Sequence, residues 1–239
     1  TLQHQVADSS HILDHQGLVD FHGHVSARIP GTNSILIKPV LRAHNQIKAA
    51  DIITVDMDEY MSANTSRWNP DQQKGRVIDA PVPPRETMLH VCAYQHRSDV
   101  HSVVHTHQLV ATAIGAGGQS IKPLYNQALP FAPETPIYPK ANLITDLTLG
   151  NEVAETLGDR TALLLQGHGI MVVGESVDHA VSNTIYLERT AIMQVIAAIV
   201  GTPQALDPEY VASFAADWNR RAPHAYEYFR SLVPSLNGG

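Results

Sequence analysis

Apolar residues recur along this chain with two alternating periods, and each change of period marks the edge of an element. Val6, Ile12, Leu13 and Leu18 fall at helical spacing and predict an N-terminal helix over residues 3–20. Residues 25–29 and 34–37 read as a hairpin around Pro30-Gly31-Thr32-Asn33, and residues 52–55 as a short strand ending in an acidic turn. Residues 61–83 are polar and proline-bearing and read as a long loop, of the kind that serves as a lid or a wall. Pro83-Pro84 then opens a helix with Glu86 in its first turn, where the helix dipole favours a carboxylate, and with Met88, Leu89, Val91 and Cys92 on its apolar side. The run Ser102-Val103-Val104 predicts a strand leading into His105-Thr106-His107. An alanine- and glycine-rich helix over 109–117, a proline-rich loop with embedded strands over 123–139 and a helix over 142–157 follow. Residues 161–166 and 170–173 form a hairpin with Gly167-His168-Gly169 at its apex.

Residues 176–200 make one long helix with Ser176 as N-cap, and Ala180, Ile185, Leu187, Ile192, Val195, Ile196 and Ile199 give it a broad apolar side. Residues 208–232 form a C-terminal helical tail carrying Tyr210, Trp218, Tyr226 and Tyr228. Interspersed strands and helices with several hairpins predict a layered α/β fold on a mixed sheet. With no repeat or low-complexity linker, residues 1–239 read as one domain with its helical tail.

Bulk properties narrow the function. A net charge of −7 speaks against non-specific nucleic-acid binding, which needs a basic footprint. No run of 18 apolar residues and no basic-then-apolar leader occurs, so neither a membrane span nor a signal peptide is expected. Cys92 is the single cysteine, which excludes an intrachain disulfide and suits the reducing cytoplasm. Histidine is unusually frequent at 14 residues, and the candidate chemistry follows it.

On a strand, side chains two apart share a face, so His105 and His107 present two imidazoles together. His168 lies between two glycines at a strand end, where the backbone turns freely. If the three meet, they hold a divalent ion and leave it an open coordination position, the catalytic type of site. Glu86 is then a fourth ligand, or a general base displaced from the metal when substrate binds. Taken singly, each motif has a plain reading: surface histidine, a simple turn, a helix cap.

Their joint arrangement is more specific. Pro84-x-Glu86-x-x-x-His90, then His-x-His nineteen residues after the Glu, then Gly-His-Gly about sixty residues on, resembles the class II aldolase/adducin family. Gly17-Leu18-Val19, Gly23-His24-Val25-Ser26-Ala27-Arg28 and Ile37-Lys38-Pro39 extend the likeness over nearly the whole chain. The resemblance implies a three-layer α/β/α sandwich around a mixed, mostly antiparallel sheet. It implies His105, His107 and His168 as metal ligands, with Glu86 as acid/base or fourth ligand. One divalent ion per chain is expected, Zn²⁺ or Mn²⁺ first and Fe²⁺ as a further option. Family members are typically fourfold-symmetric homotetramers with active sites at subunit interfaces.

The departures from the family pattern bear on the substrate. Sugar-phosphate members cradle phosphate with small hydroxyls and backbone N–H groups at positions that here hold His24, Val40-Leu41 and Pro84-Arg85. Proline has no N–H, and Val and Leu have no hydroxyl. His24, Arg28, Lys38, Arg42 and Arg85 suit carboxylates instead. The resemblance is therefore to the branch that decarboxylates hydroxylated aromatic or pyridine dicarboxylates. There the metal chelates the ring hydroxyl and carboxylate and takes up the charge left on the ring. Proton-donor candidates are Glu86, His90 on the same helix face, and Tyr125, in the loop where family members send a tyrosine into the neighbouring site. An aldolase acting on a non-phosphorylated oxo or hydroxy acid, a mononuclear iron oxygenase and a non-catalytic adducin-like binding module stay open as alternatives.

Overall fold

The computed structural model describes residues 1–40, 42–64 and 82–236. Its elements in chain order are α1 (Leu2–His15), β1 (His24–Arg28), β2 (Ser34–Ile37), β3 (Ile53–Asp56), α2 (Met57–Ala63), α3 (Thr87–His96), β4 (Ser102–Thr106), α4 (Leu109–Ala116), β5 (Ile137–Tyr138), α5 (Leu147–Leu157), β6 (Ala162–Leu165), β7 (Gly169–Gly174), α6 (Val177–Val200) and α7 (Pro208–Ser231). The strands form one sheet in the order β3-β2-β1-β4-β7-β6-β5. Among the described residues only β5 and β6 pair in parallel; the other pairs are antiparallel.

Strand parity sorts the side chains into two layers. Val103 of β4 and Met171 and Val173 of β7 face α3 and α5 in one core cluster. Val25, Ala27 and Val104 face α1, α6 and α7 in another, and α4 covers the β6–β7 end of that second side. The result is helix, sheet, helix, as expected. α3 is buried all round from Thr87 to Tyr94, because α5 packs over its outer side. Gly150 permits that approach: a Cβ there would lie 2.5 Å from Cys92 Sγ. Cys92 is thus a core residue of α3.

Several boundaries differ from expectation for identifiable reasons. α1 stops at His15 rather than continuing to 20, because Gly17 takes φ +69° and Leu18 N–H closes back on Leu13 O at 2.9 Å. The acidic turn after β3 is the start of α2: Asp56 accepts from Glu59 N–H and caps it. Most of the expected 61–83 loop lies outside the described residues. The helix expected from 142 begins only at Leu147, with Asp146 as its cap, and residues 142–146 stay non-helical over the site. In α6 the predicted apolar side is divided. Ala180, Ile185 and Leu187 are buried, while Ile199 and Val200 are 78% and 81% exposed. No helix among the described residues is long and apolar enough to cross a membrane.

Candidate metal centre and its cavity

β1 and β4 pair with His24 opposite His105 and Ser26 opposite Val103, so these four side chains share the α3 face of the sheet. β4 ends at Thr106, and His107 follows just beyond it on the same side as His105. The two rings meet edge to face at 4.9 Å, with their Nε2 atoms 3.1 Å apart. His168, at the β6–β7 turn, brings its ring to 5.0 Å from His105 and 5.2 Å from His107. Gly169 allows this closure, because a Cβ there would fall 2.5 Å from Thr106 O and 2.7 Å from His107 Cδ2.

Glu86 occupies the residue before α3, not its first turn, and its side chain caps nothing. Its Oε1 accepts from Ile144 N–H at 2.8 Å. Its Oε2 lies 3.3 Å from His168 Nε2 and 3.6 Å from His105 Nε2. One donor atom from each of Glu86, His105, His107 and His168 falls within 4.8 Å of the others.

The chemistry of this donor set fits a divalent ion. His105 Nδ1–H donates to Ile170 O at 2.8 Å, which leaves the Nε2 lone pair facing the cluster, the form a metal requires. His168 Nε2 faces only the Glu86 carboxylate, and its Nδ1 has no hydrogen-bond partner among the described residues. Burial lowers the pKa of His105 to about 3 and lowers that of His107. Burial pushes Glu86 up, but the His168 bond, the nearby His105 and His168 and the Ile144 N–H outweigh it and hold it at about 2. Neutral imidazoles beside an ionised carboxylate are the protonation states of metal ligands.

The cluster opens into a cavity of about 400 Å³. His24, Lys38 and Arg85 make its polar side; Phe21, Val40, Pro84 and Leu143 make its apolar side. Lys38 is buried, its Nζ donates to Pro39 O at 3.3 Å, and burial lowers its pKa to about 8. Phe21 and Leu143, exposed at 59% and 48%, present apolar surface to the cavity.

Four of the residues named from sequence lie elsewhere. Arg28 is at the far end of β1, where its guanidinium donates to the carbonyls of Tyr94, Val100 and Arg97 and lies over the Tyr94 ring at 5.0 Å. It ties β1 to α3 and is not a cavity residue. Arg42 pairs with Asp51 at 3.6 Å and points outward. His90 bonds His24 and Ser26, not Glu86. Tyr125 packs in the cluster formed with α4 and α6 and does not line the cavity of its own chain. In the tail, Tyr226 is buried against α1 and Tyr228 is exposed, and neither reaches the cavity.

Sequence reasoning passed over Phe21, His22, Leu143 and Ile144. Phe21 and His22 directly precede Gly23-His24, so the cluster of rings in that short loop was a usable signal. Ile144 acts through its backbone N–H, for which a sequence carries no signal.

Comparison with known proteins follows the same lines. The class II aldolase and adducin N-terminal domain model matches residues 4–195. A 3,4-dihydroxyphthalate decarboxylase of Arthrobacter keyseri is 31% identical over 195 residues, covering 78% of this chain and 74% of the relative. Another, of Terrabacter sp. (strain DBF63), is 32% identical over 209 residues, 84% of this chain and 82% of the relative. An L-ribulose-5-phosphate 4-epimerase of Salmonella paratyphi B is 30% identical over 220 residues, 87% and 89% of the two chains. Among solved structures, an L-fuculose 1-phosphate aldolase shares the fold at a TM-score of 0.76 and 20% identity, covering 91% of this chain and 96% of its own.

Proposed function

The chain belongs to the class II aldolase and adducin family, and from that premise we propose that it is a metal-dependent carboxy-lyase. Its substrate is a hydroxylated aromatic or pyridine (di)carboxylate, which loses CO₂ without oxidation. The observation that carries this reading is the cavity wall beside the metal cluster. Lys38, His24 and Arg85 stand there with Pro84 and Val40, a set that offers cationic and N–H donors to a carboxylate. The names of the decarboxylase relatives support the same chemistry.

His105, His107 and His168 hold the ion, with Glu86 beside them. Zn²⁺ or Mn²⁺ is the proposed ion, with Fe²⁺ as a further option, and it would supply a Lewis acid for the electron pair left on the ring as CO₂ departs. Lys38 and Arg85 hold a substrate carboxylate and set the register of the ring. Phe21 and Leu143 flank the mouth and exclude water from the ring faces. Glu86 lines the cavity beside the cluster, and we assign it the transfer of the substrate hydroxyl proton to the ring carbon after the C–C bond breaks. Proton and electron pair then balance, and the hydroxyl is reprotonated from water.

The assembly proposed is a homotetramer in the cytoplasm. The exposed apolar residues Ile192, Val195, Ile196, Ile199 and Val200 of α6 give it a surface to bury, and Tyr125 would then act in a neighbouring subunit's cavity. A second reading, aldol cleavage of a non-phosphorylated oxo acid, uses the same cluster, and the epimerase relative favours keeping it. The deciding experiment is product analysis with a panel of ortho-hydroxy aromatic acids, anaerobically and in air. CO₂ release without O₂ supports the decarboxylase. An aldehyde product from oxo acids selects the aldolase, and a strict O₂ requirement selects an oxygenase.

A further inference from the structure

Four buried polar side chains between β1 and α3 form an unbroken hydrogen-bonded line that the reaction above leaves unexplained. His24 Nδ1 is 2.6 Å from His90 Nε2, His90 Nδ1 is 2.7 Å from Ser26 Oγ, and Ser26 Oγ is 2.7 Å from Tyr94 OH. Local geometry builds the line: His24 and Ser26 alternate onto one face of β1, and His90 and Tyr94 are four residues apart on one face of α3. None of the four is more than 6% exposed. Polar groups buried this deeply are costly unless every hydrogen finds an acceptor, and that condition sets the direction of the line.

Each link carries one hydrogen. If the hydrogens pointed from His24 towards Tyr94, the phenol hydrogen would end the line. Tyr94 OH has no acceptor besides Ser26 Oγ among the described residues, so that hydrogen would be buried unpaired, at a cost of about 1–3 kcal/mol. In the opposite direction Tyr94 O–H donates to Ser26, Ser26 O–H donates to His90 Nδ1, and His90 Nε2–H donates to His24 Nδ1. Every hydrogen is then satisfied. His24 accepts at Nδ1 and carries its own hydrogen on Nε2, in a ring that lines the cavity.

We infer that Tyr94, Ser26 and His90 are positioning residues that lock His24 in its Nε2–H tautomer, so that it offers the cavity a hydrogen-bond donor instead of a lone pair. The lock has two consequences. An N–H at this place attracts a carboxylate oxygen, whereas a lone pair repels it. It also withholds His24 from the ion, although its ring stacks 5.0 Å from that of His105. The assignment of the donor to a substrate carboxylate rests on the proposed function; the tautomer does not.

The test is a long-range ¹H–¹⁵N correlation spectrum of deuterated, ¹⁵N-histidine-labelled protein loaded with Zn²⁺, with His24 assigned from the signals missing in His24→Gln. The wild-type protein is expected to show the Nε2–H pattern at His24. Tyr94→Phe and Ser26→Ala, which cut the line at different points, are expected to mix the two tautomers. In both, affinity for phthalate, a non-reacting aromatic dicarboxylate, should weaken about five-fold by calorimetry, the scale of one hydrogen bond. An Nδ1–H pattern in the wild type overturns the inference, as does an unchanged tautomer in both variants. If the spectra behave as expected and no aromatic acid loses CO₂, the lock stands and the decarboxylase reading falls.

Discussion

Gly169 lies against His107 so closely that a Cβ on it would be 2.7 Å from the imidazole Cδ2, and 2.5 Å from the Thr106 carbonyl oxygen. Its backbone φ is not in the left-handed region, so space, not torsion, demands glycine here. Gly169→Ala must push β7 away from the end of β4 or displace the His107 ring. We expect the variant to fold with a loss of about 1–3 kcal/mol, the range for overpacking a core. It should lose metal affinity by more than ten-fold, read by metal content after dialysis alongside Tm. Wild-type metal content in a folded Gly169→Ala protein would show that the two strands need not approach this closely.

Much of this site was legible because its motifs are local and periodic. His105 and His107 share a face by strand parity, and Gly167-His168-Gly169 marks a turn by composition. Glu86 was legible as a residue near a helix start, but its role as a dipole partner was not the one the fold uses, because residues 142–146 reach over to claim its carboxylate. Arg28 shows the opposite failure. A cation two residues from Ser26 on a site strand invites a substrate role, yet β1 is only five residues long, and its far end lies among the carbonyls that close α3. His90 was read against its nearest titratable neighbour on the same helix. Its real partners, 64 and 66 residues away in sequence, come from strand pairing that a single sequence does not display.

The division of labour within the cluster gives a second prediction. His107 offers a ring nitrogen 3.1 Å from that of His105 and makes no other side-chain hydrogen bond among the described residues, so His107→Ala should lose metal and activity together. Glu86→Gln preserves shape, and its amide oxygen can still accept from Ile144 N–H. It should keep metal within about ten-fold while turnover falls by roughly 10²-fold or more, the usual scale for a lost acid–base group. Metal analysis and CO₂ release on the same preparations separate the two. Equal metal loss in both variants would make Glu86 chiefly a ligand.

Arg28 and Arg85 should respond in opposite ways. Arg28→Ala removes bonds to three backbone carbonyls and leaves them inside the α3–β4 junction, so stability should fall by about 2–3 kcal/mol. KM for the carboxylate substrate should be unchanged. Arg85→Ala should raise KM by about ten-fold, as expected for a lost charge-assisted bond to a carboxylate. Parallel denaturation and kinetics decide it, and a KM effect confined to Arg28→Ala would return that residue to substrate binding.

Lys38 gives the pH dependence. Burial holds its ammonium at a pKa of about 8, below the ordinary 10.5, so the free protein loses this charge just above neutrality. The sign for binding follows: an anionic substrate meets a cation below pH 8 and a neutral amine above it, so kcat/KM should fall on the alkaline side with an apparent pKa near 8. For folding the sign is reversed. The native state disfavours the charged form, so the Lys38 contribution to stability is least favourable below pH 8 and improves as pH rises from 8 towards 10.5. Lys38→Arg keeps its charge throughout this range. Its kcat/KM profile should therefore be flat from pH 7 to about 9.5, whatever its absolute rate. The experiment is a kcat/KM profile for both proteins at constant ionic strength, and an alkaline limb near pH 8 that survives in Lys38→Arg would assign it to another group.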